Sequence, residues 1–174
     1  MSAIDNTPKN RNFLSPLNFR FQIKKSPHVN FFIQKVNIPY IFLNEVETSN
    51  PFVTTPYPGE HIKYGPLTIE FKVDEDLQNY LEIHNWIKAL GKPEEYEQYK
   101  KIADIPIYTG EGIYSDVSLL VLGSTKSPNY ETVFKDAFPI RLSQITFNTT
   151  DPDIMYLTAS AEFKYTTYDI SKTY

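Results

Sequence analysis

The stretch LTIEFKVDEDLQNYLEIHNWIKALG, residues 67–91, decides the fold of this chain. From Leu67 to Val73 apolar and polar side chains alternate, which is the period-two pattern of a half-buried strand. After three carboxylates, apolar residues recur at helical spacing from Leu77 to Leu90, and Gly91 and Pro93 end the run. The stretch therefore predicts a long strand that leads into a helix of about four turns.

The helix carries the only tryptophan of the chain, and its apolar side is expected to pack on a sheet. The residues Asp74, Glu75 and Asp76 are expected at the helix start, because unpaired N–H groups and the helix dipole favour negative charge there. The predicted core residues of the helix are Leu77, Tyr80, Leu81, Trp86, Ile87 and Leu90.

Composition limits the class of protein. A length of 174 residues suits a single domain. The absence of cysteine excludes a disulfide framework. Apolar runs are shorter than the ~20 residues that span a bilayer, and the N-terminus lacks the apolar core of a signal peptide, so we expect a soluble protein made in a cytoplasm, with no membrane partner.

Charge argues against specific nucleic-acid binding. The net charge is −4, and the lysines and arginines are scattered rather than clustered. Nucleic-acid binders usually carry a basic patch, because phosphate contacts supply most of their affinity. The pairs Lys24-Lys25 and Lys100-Lys101 are the best candidates, and they do not make such a patch. A mildly acidic protein suits nucleic acid that slides past unbound.

Outward from the central stretch, the N-terminal half divides into an arm, two strands and a long excursion. Residues 1–15 are polar and without periodicity, which predicts a flexible arm before a single domain at 16–174. Alternation at 19–24 and apolar residues at 29–38 predict two strands joined as a hairpin. Five prolines then punctuate residues 39–66, which predicts an exposed excursion, part strand and part loop, of a kind that often serves contacts.

The C-terminal half is predicted to be mostly strand. A short charged helix is expected at 94–101 within an exposed loop near 92–115, then a strand around 117–121. An exposed connection near 124–138 with one helical turn around Val133 precedes a strand at 142–147. The last strand, 155–167, alternates strictly, with Leu157, Ala159, Ala161 and Phe163 opposite small polar residues.

Six or more strands, one substantial helix and tight turns predict a mainly β (α+β) protein. The expected architecture is an antiparallel β-sandwich or barrel with one packed α-helix.

The sequence offers little material for catalysis. The histidines, His28, His61 and His84, lack the spacing of a zinc helix, and His84 is expected to pack on the helix. The carboxylates at 74–76 lack the glycine and terminal Glu of a calcium loop. Nucleophile elbows, Walker-type loops and dinucleotide fingerprints do not occur in the sequence. We therefore expect a protein that is not an enzyme and that needs no cofactor or metal.

The order of these elements resembles the tail-tube proteins of contractile-tailed bacteriophages, including tube-initiating proteins of the baseplate and the Hcp ring proteins. The resemblance covers approximately residues 14–169. Its most specific parts are 67–90, with the Val-Asp-Glu-Asp step and the tryptophan near the helix end, and 138–168.

This resemblance implies a structural virion protein of the phage tail, assembled in the host cytoplasm. Six copies would form a homo-hexameric ring whose strands close a β-barrel around a lumen, and rings would stack into a tube. Its partners would be like rings, the tail sheath, and baseplate or terminator proteins. Tape-measure protein and phage DNA would occupy the lumen without specific binding until DNA ejection.

Two sets of residues follow as candidates for these roles. The polar side of the last strand, together with alternate residues of the second, is expected to face the lumen: Thr158, Ser160, Glu162, Lys164, Thr166 and Gln34. The proline-rich excursion is expected to contact stacked rings or neighbouring subunits through Glu45, Phe52, Val53, Tyr57, His61 and Tyr64.

Two alternatives stay open at this point. Within the family, the chain is a baseplate tube initiator or a tail-completion ring rather than the repeated subunit. From another class, it is a carbohydrate- or receptor-binding β-sandwich, in which an exposed Trp86 would stack on a sugar.

Overall fold

The predicted central strand lies inside a seven-stranded antiparallel sheet, with the predicted helix packed against it. The computed structural model describes residues 12–91, 112–150 and 156–173. The elements are β1 (Phe19–Ile23), α1 (Pro27–Phe32), β2 (Ile33–Val36), β3 (Ile41–Ser49), β4 (Thr54–Tyr64), β5 (Leu67–Lys72), α2 (Gln78–Gly91), β6 (Ser115–Leu122), β7 (Pro128–Leu142), β8 (Thr158–Lys164) and β9 (Thr167–Lys172). The predicted class, mainly β with antiparallel pairing, is confirmed.

The strand order in the large sheet is β1-β6-β7-β8-β5-β2, and β9 also pairs with β7. The 15-residue β7 joins two halves, because its first part pairs with β6 and β9 and its last part pairs with β8. The partner of β7 changes at Asp136, which has a positive φ of 55° and lies beside an irregularity in the β6–β7 register. β1, β2 and β9 each have a single strand partner among the described residues, so the described sheet does not close into a barrel. The hairpin β3–β4 forms a separate two-stranded sheet.

The core fills the space between the two halves of the sheet and α2. Its fully buried side chains include Phe71, Phe134, Phe163, Ile23, Leu67, Ile69, Ile83, Val29 and Val117. Trp86 is 3% exposed, its ring centroid lies 6.1 Å from that of Phe163, and its Nε1 donates to the Ile113 oxygen at 3.1 Å. These contacts hold α2 against β8.

The start of α2 differs from the prediction. Its first turn contains no acidic residue, because Asp74, Glu75 and Asp76 form the turn that precedes it. The buried Asn79 makes the connection instead: its Nδ2 donates to the Lys72 oxygen at 2.8 Å, and its Oδ1 accepts from the Asp74 nitrogen at 3.3 Å. An amide satisfies both a donor and an acceptor of the turning chain, which a carboxylate cannot do.

The helix surface also differs in part from the predicted core. Leu77 has a positive φ of 58° and lies just before α2, half-buried. Leu81 is 45% exposed and His84 is exposed, so neither packs in the core. Tyr80, Ile87 and Leu90 pack against the core from its margin. The helical period predicts a broad apolar face on α2. The contact between α2 and the sheet is narrower, so it covers only part of that face.

Near the N-terminus, the predicted strand at 29–38 and its hairpin with the first strand are wrong. Pro27 begins a six-residue helix, α1, whose Val29 is buried, and only Ile33–Val36 is extended. β1 pairs with β6 and β2 pairs with β5, so the two predicted partners lie at opposite edges of the sheet. Burial of Val29 overrides the strand propensity of the Val and Phe residues here.

Three predictions in the C-terminal half are also wrong. Residues 128–138, predicted as an exposed connection, belong to β7, in which Thr132 and Phe134 are buried. Residues 143–147, predicted as strand, lie outside the regular elements. The predicted strand 155–167 is two strands, because pairing is interrupted at Tyr165 and Thr166: β8 pairs with the last part of β7, and β9 pairs with its first part. Residues 1–11 of the arm predicted at 1–15, the charged helix predicted at 94–101 and Met155 lie outside the described residues.

Candidate functional site, the polar face and the hairpin

A polar face covers the side of β5 and β8 that is turned away from the core. In β8, Ala159, Ala161 and Phe163 are buried, and the intervening side chains lie on the opposite side. In β5 the buried residues Leu67, Ile69 and Phe71 alternate in the same way. The polar face consists of Thr68, Glu70, Lys72, Thr158, Ser160, Glu162 and Lys164, with Lys35 of β2 and Arg141 of β7 beside them.

The charges of the polar face are largely arranged in pairs. Lys35 Nζ lies 2.9 Å from Glu70 Oε1, and Arg141 Nη1 lies 3.5 Å from Glu162 Oε1. Lys72 Nζ lies 4.2 Å from the centre of the Tyr156 ring. The face holds four basic and two acidic side chains, so it is positive by two charges while the whole chain is at −4.

Two of the predicted lumen residues stand elsewhere. β2 has a bulge between Ile33 and Lys35, so Lys35 rather than Gln34 lies opposite Glu70. Gln34 lines a cleft beside β1. Thr166 is exposed between β8 and β9, where its N–H donates to the Lys135 oxygen at 3.0 Å. A bulge shifts every later side chain to the other side of a strand, and no local sequence pattern indicates this one.

The hairpin β3–β4 projects from the sheet with apolar side chains exposed on both of its faces. Every one of the following is at least 47% exposed: Ile41, Phe42, Leu43, Val46, Phe52, Val53, Tyr57 and Ile62. The predicted contact residues Glu45 and His61 are exposed as well. A two-stranded ribbon is marginally stable in water by itself, and a contiguous apolar surface of this kind marks an interaction site.

The tip of the hairpin is held in one conformation. Asn50 Oδ1 accepts from the backbone nitrogens of Phe52 and Val53 at 3.0 and 2.9 Å, and the Asn50 nitrogen donates to the Val53 oxygen at 3.1 Å. This turn presents Phe52, which is 96% exposed. An ordered tip loses little entropy when it binds a partner.

The base of the hairpin is fixed to the sheet by tyrosines whose grouping no local sequence pattern predicts. Tyr168 donates to the Pro39 oxygen at 3.0 Å, and Tyr165 donates to the Gly65 oxygen at 2.9 Å. Burial raises the pKa of Tyr165 to about 12, with further contributions from Tyr168 and Tyr64. Tyr64, predicted as a contact residue, is half-buried in this cluster and approaches Thr167 Oγ1 at 3.3 Å.

An ion pair joins α1 and α2. His28 Nδ1 of α1 contacts Glu82 Oε1 of α2. The hydrogen bond to Glu82 raises the pKa of His28 above its ordinary value, and the negative charges of Glu82 and Asp74 act in the same direction against a small opposing effect of burial. The pair lies outside both the polar face and the hairpin.

Within the described ranges 12–91, 112–150 and 156–173, no group of three or more His, Asp or Glu residues is arranged to hold a metal ion. Helices long and apolar enough to cross a bilayer are also absent from these ranges.

The sequence matches the family described as phage tail tube protein over residues 6–171. Among curated proteins, no sequence matches the chain. The fold is similar to that of the anti-feeding prophage tube-terminating cap, with a TM-score of 0.62 at 11% identity, covering 99% of this chain and 100% of that one.

Two structures of an extracellular contractile injection system, PVC, are also similar. The sheath–tube complex in the extended state gives a TM-score of 0.58 at 12% identity, covering 94% of each chain. The sheath/tube terminator gives 0.57 at 13% identity, covering 93% of this chain and 99% of that one. Identities this low establish a common fold.

Proposed function

This chain belongs to the phage tail tube protein family, and from that membership we propose that it is the repeated structural subunit of a virion tail tube. Six copies form a ring, rings stack into a tube, and DNA passes through the lumen. The family and the structural neighbours are tube proteins of phages and contractile injection systems rather than enzymes.

The polar face is the observation that supports this proposal most strongly. A tube wall needs a sheet that is dry on one side and wetted on the other. β5 and β8 lie side by side with one face fully buried and the other carrying small hydroxyls and charges. In the proposed ring, Thr158, Ser160, Glu162 and Lys164 line the lumen, and Lys35 takes the place that the sequence assigned to Gln34.

Pairing of the charges suits a lumen that must release DNA. A cation held by a carboxylate gives less attraction to a phosphate than an unpaired one, and phosphate attraction provides most of the affinity for nucleic acid. Glu70 and Glu162 hold Lys35 and Arg141 in this way. Contacts between wall and DNA are therefore weak, as rapid passage requires.

The hairpin supplies contacts between copies. Its exposed apolar residues, the ordered tip with Phe52 and Val53, and the neighbouring Glu45, Tyr57 and His61 are covered only when another subunit packs on them. Ring-to-ring contacts of this type are heterologous, so they allow a stack to grow. The outer partners in this proposal are the sheath and the baseplate or terminator proteins.

A single ring at one end of the tube is the second candidate function. The fold similarity to a tube-terminating cap and to a sheath/tube terminator favours it. The number of copies in each particle separates the two functions: a tube subunit is present in dozens of copies, and an initiator or completion ring in one or two rings.

The sugar-binding alternative loses its main candidate, because Trp86 is 3% exposed and bonded to the Ile113 oxygen. An indole in that position cannot stack on a ligand from solvent.

Negative-stain microscopy of the purified protein tests the proposal. We expect rings or tubes of uniform bore, and quantitative mass spectrometry of particles then gives the copy number. A protein that stays monomeric at every concentration, or that forms filaments without a bore, contradicts it.

A further inference from the structure

Among the described residues, the edge of β1 that faces away from β6 has no strand partner. The Leu122 nitrogen donates to the Asn18 oxygen at 2.9 Å, so by alternation the backbone groups of Arg20 face β6 and those of Phe19, Phe21 and Ile23 face away. At Ile23 the edge is covered, because the Asn30 side chain accepts from the nitrogen at 2.8 Å and donates to the oxygen at 3.0 Å. At Phe19 and Phe21, no described strand pairs with this edge of β1.

A cleft of about 400 Å³ opens along this edge between β1 and β2. Its apolar lining comes from Leu17, Phe19, Phe21 and Ile33, and Arg20 stands at its rim. Arg20 is exposed and makes no ion pair with any residue of the described ranges. A cleft of this volume has room for a few side chains of a strand laid along β1.

The two edges of the hairpin differ: the edge of β3 can pair with another strand, and the edge of β4 cannot. The Asn50–Val53 hydrogen bond fixes the alternation in the outer half, so Val46 bonds to β4 while Glu45 and Glu47 point their backbone groups outward. On the other strand, the outward positions are Pro56 and Pro58, which lie opposite Glu47 and Glu45. Proline has no N–H to offer, so β4 resists strand addition and β3 accepts it.

We infer that β3 of one copy adds to the free edge of β1 in a neighbouring copy of this chain. The inference rests on the proposed function, since it describes how the hairpin joins subunits of the tube. This contact pairs two strand edges that have no partner among the described residues. It also brings the exposed carboxylates of Glu45 and Glu47 toward the oppositely charged Arg20.

The polarity of the side chains fixes the direction of pairing as parallel. In a parallel pair, the backbone groups of Phe21 or Phe19 bond to Glu45 and Glu47, on either side of Val46. The side chain of Phe21 or Phe19 then lies beside Val46, and that of Arg20 lies beside Glu45 or Glu47. Val46 then lies on the apolar side of β1, and the carboxylate meets the guanidinium on the wet side. Antiparallel addition would set a carboxylate beside Phe19 or Phe21 instead, which is costly.

Cysteine cross-linking tests the contact directly, because the chain has no cysteine of its own. Two double variants are oxidised in the intact protein, Arg20→Cys with Glu45→Cys and Arg20→Cys with Glu47→Cys. A head-to-tail contact gives a ladder of covalent oligomers from at least one pair, whereas each single variant, the matched control, stops at a dimer. If neither pair exceeds a dimer, or the disulfide closes within one chain, the inference is overturned.

Charge reversal tests the ion pair. We expect Arg20→Glu, and Glu45→Arg with Glu47→Arg, each to lower the assembled fraction in sedimentation at least tenfold, and the combination of all three to restore it. Glu60→Arg is the matched control, because it makes the same charge change at an exposed position of β4. Assembly of Arg20→Glu at the wild-type level, or failure of the combination to restore assembly, overturns the inference.

A backbone variant separates strand addition from a simple salt bridge. In either parallel register the Glu47 N–H donates to β1, so Glu47→Pro removes that donor while the ladder to β4 stays intact. Glu47→Gln removes only the charge. Strand addition predicts that the proline variant assembles at least tenfold less than the glutamine variant, and equal assembly overturns it.

The two proposals fail in different ways. Wild-type rings without any ladder from the cysteine pairs leave the tube function standing and end the inference. A ladder from a wild-type protein that never forms rings supports the contact and ends the tube function.

Discussion

β5 and β3 contain a similar proportion of apolar residues, but those of β5 are buried in the core and those of β3 are exposed to solvent. In β5, Leu67, Ile69 and Phe71 are 0% exposed, because β2 and β8 flank the strand and α2 lies in the same core. In β3, Ile41 and Val46 are both 56% exposed. Burying a large apolar side chain is worth roughly 1.5–3 kcal/mol, so β5 draws its stability from the subunit and β3 does not.

This difference separates the residues that stabilise the subunit from those that are available for assembly. The large sheet folds within one copy, and the hairpin carries apolar surface that the copy itself leaves in water. The tyrosines at the hairpin base fix its direction without covering its faces. Changes in the sheet should therefore act on folding, and changes in the hairpin should act on association.

The largest expected effect comes from truncating the core. Phe163→Ala removes a fully buried ring beside Trp86, so we expect a loss of about 3–5 kcal/mol in the free energy of unfolding, measured by urea denaturation. Phe52→Ala makes the same chemical change at a 96% exposed position, and we expect a change within about 0.5 kcal/mol for the dissociated chain. Equal losses from the two variants would contradict the contrast.

A smaller and local effect is expected within the hairpin. The Cβ of Gly59→Ala would lie 2.4 Å from the Asn44 backbone oxygen across the ribbon, so the bulge at this point must open. We expect amide exchange in β3 and β4 to accelerate at least tenfold, a loss of about 1.4 kcal/mol in local stability, while exchange in β5 is unchanged. Gly123→Ala is the control, since its Cβ comes no closer than 3.8 Å to Ser127. Faster exchange throughout the chain would show that the hairpin and the sheet unfold together.

A charge on the polar face should affect function without affecting folding. Thr158 is exposed opposite Lys72, so Thr158→Lys adds an unpaired cation to the proposed lumen. We expect normal tubes and a several-fold slower release of DNA from particles, with Ser160→Lys acting in the same direction. Thr158→Ser is the control that keeps the hydroxyl. Particles of the lysine variants that eject DNA at the wild-type rate would remove the polar face from the lumen.

Alternation made the central part of the fold predictable from the sequence. The period of two in 67–73 and in 158–164 identifies which side chains of β5 and β8 are buried, because each strand has one face in the core. The helical period places Trp86 in the core. Local pattern is enough where a single face is buried along a whole element.

The errors have long-range causes. The local signal for α1 is limited to Ser26 and Pro27 at its start, a pair that also suits a turn, and the burial of Val29 depends on packing in the distant core. β7 looks like a loop because Pro128 and Pro139 lie within it, although its neighbours in the sheet stabilise it on both sides. The bulge that moves Lys35 into the polar face in place of Gln34 follows from the register against β5, which no local pattern encodes.

The smallest expected effect concerns pH, and it sharpens the contrast because His28 and Glu82 belong to the main body rather than the hairpin. The bond to Glu82 raises the pKa of His28, so the folded state holds the proton more tightly than the unfolded chain, whose pKa is about 6.5. The resulting stability is fully present below that value and is lost as pH rises through the raised pKa of the folded state.

The pH effect should appear in global unfolding and leave the hairpin untouched. Urea denaturation at a series of pH values should give a small fall in stability above about pH 6.5 for the wild type and a weaker fall for His28→Gln, because the variant lacks the titrating group. His84→Gln is the matched control, since His84 is exposed on the same helix as Glu82 and contacts only the neighbouring Asn85 among described residues. Amide exchange in β3 and β4, corrected for its intrinsic pH dependence, should show no step in this range. A step in the hairpin that disappears in His28→Gln would mean that the two regions are coupled, and the separation of folding from association would no longer hold.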